Sequence, residues 1–85
     1  MDDWRGIVGG NVRRLRQNAG LTQEQLAFEA SIDLTYVGGI ERGRRNPSLL
    51  VMVRIAEALN VGPESLLEGA YTRQVVADIE PSAAG

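Results

Sequence analysis

The sequence predicts an all-α domain: five short helical segments in one compact unit, followed by a C-terminal tail. Three observations predict it. Apolar residues recur at helical rather than alternating spacing, as at Val8, Val12 and Leu15. Helix-start residues (Thr22, Asp33, Asn46) and stop residues (Gly20, Gly43, Gly69) punctuate the chain at short intervals. The linkers left between segments run to roughly two to six residues, the length usual in compact helical bundles.

Segment one runs from Trp4 or Arg5 to Asn18, with Val8, Val12 and Leu15 on one face and Gly20 as its stop. Gly9 and Gly10 each cost ~1 kcal/mol against alanine in a helix interior. Either the start of this helix frays or the glycines admit close packing. Segment two, Gln23 to Ala30, turns Leu26, Ala27 and Ala30 inward. Thr22 precedes it, and Gln25 stands three residues on, which is capping-box spacing. Segment three, about Leu34 to Arg42, follows Asp33, another N-cap type. It turns Val37 and Ile40 inward and stops at Gly43.

Segment four is announced by Asn46-Pro47, asparagine as N-cap and proline at the first helical position, and runs to Leu59. Leu49, Met52, Ile55, Ala56 and Leu59 form its expected core stripe. Segment five is about one turn, Glu64 to Leu67, with Pro63 near its start. Residues 70–85 lose the helical period. Tyr71, Val75, Val76 and Ile79 fit a weak strand or a frayed helix, and Pro81 to Gly85 a disordered end. The expected domain is residues 5–68 and the tail residues 69–85.

At 85 residues the chain is one small domain, for which a partner subunit would add stability. It has no cysteine and no histidine, so the disulfides, the thiolate zinc sites and the usual general bases are missing. Neither metal nor cofactor is expected. Eleven carboxylates are present, but most look solvated, and no nucleophile–base pair or phosphate-binding glycine loop accompanies them. An enzyme is not expected. No apolar run approaches the ~20 residues of a membrane span. The start, MDDWRG, lacks the basic-then-apolar layout of a signal peptide. A soluble cytoplasmic protein is expected.

The net charge is −2, yet its distribution is uneven. Residues 5–54 hold eight arginines against four acids, and residues 55–85 one arginine against five. The front is basic and the back acidic. All nine basic residues are arginine. Arginine suits bidentate phosphate and guanine contacts. A biased genome composition would give the same usage.

The stretch Thr22 to Arg45, TQEQLAFEASIDLTYVGGIERGRR, joins two capped helices by a tight turn and ends in an arginine-rich loop. Such a unit, here about residues 22–42, is a helix-turn-helix, which places its second helix in the DNA major groove. The run Thr22-Gln23-Glu24-Gln25-Leu26-Ala27, then Ile40-Glu41-Arg42-Gly43-Arg44-Arg45-Asn46-Pro47-Ser48, resembles the phage-repressor (Cro/CI-type, XRE) helix-turn-helix family. The resemblance covers about Ile7 to Leu67. Asp33-Leu34-Thr35-Tyr36-Val37 with the arginine exit is most similar to the controller proteins of restriction–modification systems.

The resemblance implies a five-helix phage-repressor-like domain that binds operator DNA as a symmetric dimer, with a recognition helix at about Leu34–Glu41. The base-reading candidates are Leu34, Thr35, Tyr36, Gly38 and Gly39. Thr35 offers a hydroxyl and a methyl, and Leu34 only apolar contact, as to a thymine methyl. Tyr36 either reaches the DNA or packs on the edge of the core. Gly38 and Gly39 either let the helix backbone approach the groove closely or, at one of the two, pack against segment two. With so few side chains there, DNA shape is expected to carry part of the specificity.

Thr22, Gln23, Arg13, Arg42, Arg44, Arg45 and Asn46 are the phosphate-binding candidates. Of Arg13 and Arg14, one is expected toward the DNA backbone and the other in solvent. Arg16 and Glu41 match positions that form an internal salt bridge in the family. Segment four carries more apolar residues than one core face needs. Leu50, Val51, Leu66, Leu67, Tyr71 and Val75 are therefore the candidate homodimer surface. Alternatively the tail covers these residues within one subunit. The expected partners are a palindromic double-stranded operator and a second copy of the chain. The alternative is an antitoxin-type autoregulator whose tail grips a partner protein.

Overall fold

The computed structural model describes residues 3–69, and the tail candidates Tyr71 and Val75 lie outside them. The described residues are all helical in architecture: α1 (Trp4–Asn18), α2 (Gln23–Ala30), α3 (Leu34–Glu41), α4 (Leu49–Ala58) and a 3₁₀ turn over Pro63–Leu67. The fifth segment is thus too short and tight to be an α-helix, as isolated 3₁₀ turns usually are.

Each α-helix opens on a side-chain cap. The Asp3 carboxylate accepts from the Arg5 N–H (3.2 Å). Thr22 and Gln25 form a reciprocal capping box, Thr22 Oγ1 accepting from Gln25 N and Gln25 Oε1 from Thr22 N. Asp33 accepts from Thr35 N and Tyr36 N. Ser48 Oγ accepts from Val51 N (3.2 Å). Helix α4 therefore starts two residues later than Asn46-Pro47 suggests. Ser48 holds an extended conformation and supplies the cap, while Pro47 lines a cleft together with Trp4 and Met52.

The four helix ends share one device. A left-handed residue follows the last turn: Gly20 (φ 73°), Ser31 (57°), Gly43 (74°) and Asn60 (57°). In each case the next N–H reaches back to a carbonyl: Leu21 to Arg16, Ile32 to Ala27, Arg44 to Gly39 and Val61 to Ala56. These are Schellman closures, which satisfy carbonyls that the helix itself leaves open. Ser31 and Asn60 occupy this region without the freedom of glycine.

The core gathers Val8 and Val12 from α1 with Leu26, Ala27, Ala30, Val37, Ile40, Ile55, Ala56, Leu59 and Leu66. Gly9 is where α1 meets α3 backbone to backbone. A methyl placed there would run into the Ile40 carbonyl oxygen and stand 3.0 Å from that of Glu41. Gly10 faces open space. Close packing, not fraying, is the role of the first of these glycines.

Two expectations about α4 and the turn after it are corrected. Leu49 is 67% exposed and is not part of the core stripe, because it is the first residue of its helix and projects beyond the packed face. Leu66 is wholly buried and cannot serve a dimer surface. The Asn11 amide pulls the 3₁₀ turn onto α1 by donating to the Leu66 and Glu68 carbonyls (2.9 and 2.8 Å). Leu50 is 70% exposed, Leu67 partly so, and Val51 lies half-buried against the core. No helix among the described residues is long and apolar enough to cross a membrane.

Candidate nucleic-acid interface

Helices α2 and α3 are joined by three residues, Ser31, Ile32 and Asp33. Left-handed Ser31 reverses the chain, Ile32 packs against the core, and Asp33 starts the next helix. The starts of both helices are thereby fixed by caps. At α2, the N–H of Gln25 and the N–H of Thr22 are used in the capping box. The backbone N–H groups of Gln23 and Glu24 take no part in it. At α3, Leu34 (43% exposed) and Thr35 face solvent, whereas Tyr36 is half-buried against the core edge.

Gly38 and Gly39 are both buried, and each lies beneath side chains from elsewhere in the chain. A methyl on Gly38 would stand 3.3 Å from Arg42 Nη1 and 3.7 Å from Gln23 Oε1. One on Gly39 would stand 2.7 Å from Arg45 Cγ. Neither glycine presents bare backbone to solvent in the free protein. Among the nearest atoms, segment two is represented by Gln23, at Gly38.

The exit from α3 is clamped. Gly43 turns the chain in the left-handed region and sits against α1, where a methyl would stand 3.1 Å from Gly6 Cα. Arg42, Arg44, Arg45 and Asn46 follow as an exposed cluster. The Arg45 guanidinium carbon lies 5.7 Å from the centroid of the Tyr36 ring, a cation–π stack that sequence reading did not anticipate. Arg13 is exposed on α1, and Arg14 donates to Asn11 Oδ1 (3.1 Å).

Beneath this surface Arg16 and Glu41 form a bidentate pair, Nε to Oε2 at 2.6 Å and Nη2 to Oε1 at 3.0 Å. The side chains are 12% and 3% exposed. Arg16 Nη1 also donates to the Leu21 carbonyl (2.8 Å), and the Gln23 amide donates to Glu41 Oε1 (3.0 Å). The Gln23 side chain is thus tied to the end of α3, with one amide hydrogen left over. Hydrogen bonding to Glu41, with their mutual attraction added, holds the Arg16 guanidinium above its ordinary value, and burial opposes the shift. One network therefore joins α1, the start of α2 and the end of α3. Among the described residues no cluster of acidic side chains is placed to hold a metal ion.

A tight three-residue turn, an exposed start to the second helix and a basic loop behind it define a helix-turn-helix DNA-binding transcriptional regulator. Residues 12–66 match the family HTH_3, described as helix-turn-helix, and the chain belongs to that family. It is 43% identical over 63 residues to the control protein C.BamHI of Bacillus amyloliquefaciens, covering 73% of this chain and 78% of that one. Its fold is similar to that of the restriction–modification controller protein C.AhdI of Aeromonas hydrophila, with a TM-score of 0.72 and 45% identity over 73% of this chain and 94% of the other. It is also similar to the controller protein C.Esp1396I, solved as a tetramer with its natural 35-base-pair operator. There the TM-score is 0.71 and the identity 31%, over 80% of this chain and 90% of the other.

Proposed function

We propose that the chain binds a palindromic operator as a homodimer in the cytoplasm, with α3 in the major groove, and so regulates transcription as a controller-type protein. The observation that carries this reading is the geometry of α3. Its exposed N-terminal residues are followed, at the other end, by a clamped arginine loop. Leu34 and Thr35 meet base edges, and Tyr36 lies at their rim. Arg13, Arg42, Arg44, Arg45 and Asn46 hold phosphates, joined by Thr22, Gln23 and the free N–H groups at the start of α2. The burial of Gly38 and Gly39 removes direct backbone contact with the bases unless Arg42, Gln23 and Arg45 swing away.

For the dimer, Leu49, Leu50, Leu67 and Trp4 supply exposed apolar surface, and Trp4 and Leu67 line a cleft of about 210 Å³ with Pro47 and Met52. Two recognition helices about 34 Å apart would then enter successive major grooves. The tetrameric operator complex of C.Esp1396I supports a multimeric DNA-bound form.

Selection of bound sites from random DNA, followed by titration at several salt concentrations, tests the reading. An inverted repeat is expected. Saturable binding without any enriched sequence, even at low salt, would overturn operator reading. A strict monomer in sedimentation, both free and on DNA, would overturn the dimer.

A further inference from the structure

The chain leaves the described domain beside an apolar cleft. Trp4, Val8, Met52 and Leu67 form its apolar walls, Arg5 and Asn46 add polar groups, and its volume is about 210 Å³. An apolar cavity of ~150 Å³ is enough to hold a benzene ring, so this cleft admits an aromatic side chain. The exit beside it is fixed. Asn11 holds the carbonyls of Leu66 and Glu68, the residues flanking Leu67, at 2.9 and 2.8 Å. Leu67 is thereby kept at the cleft. Glu68 is extended (ψ 147°), and Gly69 follows at φ 105°, a region that residues with a side chain rarely adopt. A methyl on Gly69 would meet nothing within 4 Å, so glycine is needed there for the bend and not for room. The family match ends at residue 66, and residues 70–85 lie beyond it.

We propose that Tyr71, from the chain's own tail, docks in this cleft and straps the start of α1 to the 3₁₀ turn. Tyr71 stands four residues after Leu67, which lines the cleft. Four residues span at most about 14 Å, so Tyr71 stays within reach of the cleft in every conformation of the linker. A tether this short gives an effective concentration on the order of millimolar, so at micromolar protein the chain's own tail outcompetes that of a second copy. Tyr71 is the one aromatic residue after Tyr36. Its chemistry suits the site, with an apolar ring for the walls and a hydroxyl left to Arg5, Asn46 or water. Leu49 and Leu50 do not line the cleft, so with the tail docked they remain open to a second copy. Tail docking is therefore independent of operator binding, and it confines the dimer to a smaller apolar patch.

Trp4 is the only tryptophan, and it lines the cleft, so its fluorescence reports on the site directly. In the full chain, Tyr71→Ser should shift Trp4 emission to the red and raise its quenching by acrylamide. It should also weaken the folding equilibrium in urea by roughly tenfold, as expected when one aromatic side chain returns to water. Dilution of the wild type from micromolar to nanomolar should leave the emission unchanged, because docking takes place within one chain. NMR of the wild type requires no variant to fold. Nuclear Overhauser contacts are expected from the Tyr71 ring to the Met52 and Leu67 methyls and to the Trp4 indole. In a mixture of isotope-labelled and unlabelled chains, these contacts should be missing from the spectrum filtered for intermolecular pairs. Contacts found only between chains would assign the cleft to a second copy and overturn the proposal. So would emission that changes on dilution, emission unmoved by Tyr71→Ser, or the absence of any contact from Tyr71 to the cleft.

Discussion

Replacing Arg16 by alanine is expected to remove a large share of the stability of the domain. The substitution deletes two hydrogen bonds to Glu41 and one to the Leu21 carbonyl. It leaves the Glu41 carboxylate, 3% exposed, with the Gln23 amide as its remaining partner. Breaking a buried pair by removing one member costs about 3–5 kcal/mol, because the other charge stays desolvated. A chain of this size has roughly 4–13 kcal/mol in total. Urea unfolding followed by circular dichroism reads the loss directly. In thermal melts a domain of this size loses about 4–8 °C per kcal/mol, so a fall of at least ~12 °C is expected. The double change Arg16→Met with Glu41→Leu should recover much of it, since well-packed apolar replacements of buried pairs are often neutral. The pH dependence is also fixed. A cation whose folded value is raised stabilises fully below its unfolded value, and that contribution falls only as pH rises through the raised one. The contribution of Arg16 should therefore be flat from about pH 6 to about pH 10. A loss below about 1 kcal/mol in Arg16→Ala, the size found for exposed pairs, would refute the reasoning.

Three further outcomes are expected. Gly9→Ala should destabilise by about 1–3 kcal/mol despite the better helix propensity of alanine, because its methyl meets the Ile40 carbonyl oxygen, whereas Gly10→Ala, facing open space, should stabilise by up to ~1 kcal/mol. Urea midpoints for the pair check both signs. Asp33→Ala removes the acceptor for Thr35 N and Tyr36 N and should cost ~1 kcal/mol in the same assay, with weaker DNA binding because the reading end of α3 loosens. If Arg13, Arg42, Arg44 and Arg45 each neutralise one phosphate per subunit, a dimer neutralises about eight, and the log–log salt slope from fluorescence anisotropy should be roughly −7; Arg44→Ala should reduce its magnitude by ~2.

How far the sequence could be read depended on how local each interaction is. The caps at Thr22 and Asp33 and the glycine stops at Gly20 and Gly43 involve neighbours within a few residues, and the residue types announce them. The same locality misled at Asn46-Pro47, where a favourable pair stands two residues before the serine that caps α4. Ser31 carries no such signal, because serine has no preference of its own for the left-handed region, whereas Asn60 is a residue type that tolerates it and so could have been read as a stop. The burial of Leu66 depends on Asn11, 55 residues away. Of the candidate interface, the basic loop was legible as charge. The placement of Arg45 over Gly39 and Tyr36 was not, because it requires the turn at Gly43 to fold the loop back on α3.

The two ends of α3 are held very differently, and that separates affinity from specificity. At the C-terminal end Gly9 admits backbone contact, Gly43 sits against Gly6, and Glu41 is bound by Arg16 and Gln23. At the N-terminal end Leu34 and Thr35 project into solvent from a helix secured by the Asp33 cap. Changes at the clamped end should weaken binding evenly across sequences, since they move the helix as a body. Changes at the exposed end should alter which bases are preferred while leaving the fold alone. Leu34→Ala is the direct case: at 43% exposed, Leu34 has no large packing role to lose. Stability should change by no more than about 0.5 kcal/mol. Preference for thymine at one position of each half-site should fall, because the methyl contact is the only readout leucine provides. Site selection beside a melting curve measures both. An even loss across all sequences, or a stability loss well above 1 kcal/mol, would show that Leu34 holds the helix in place and does not read the groove.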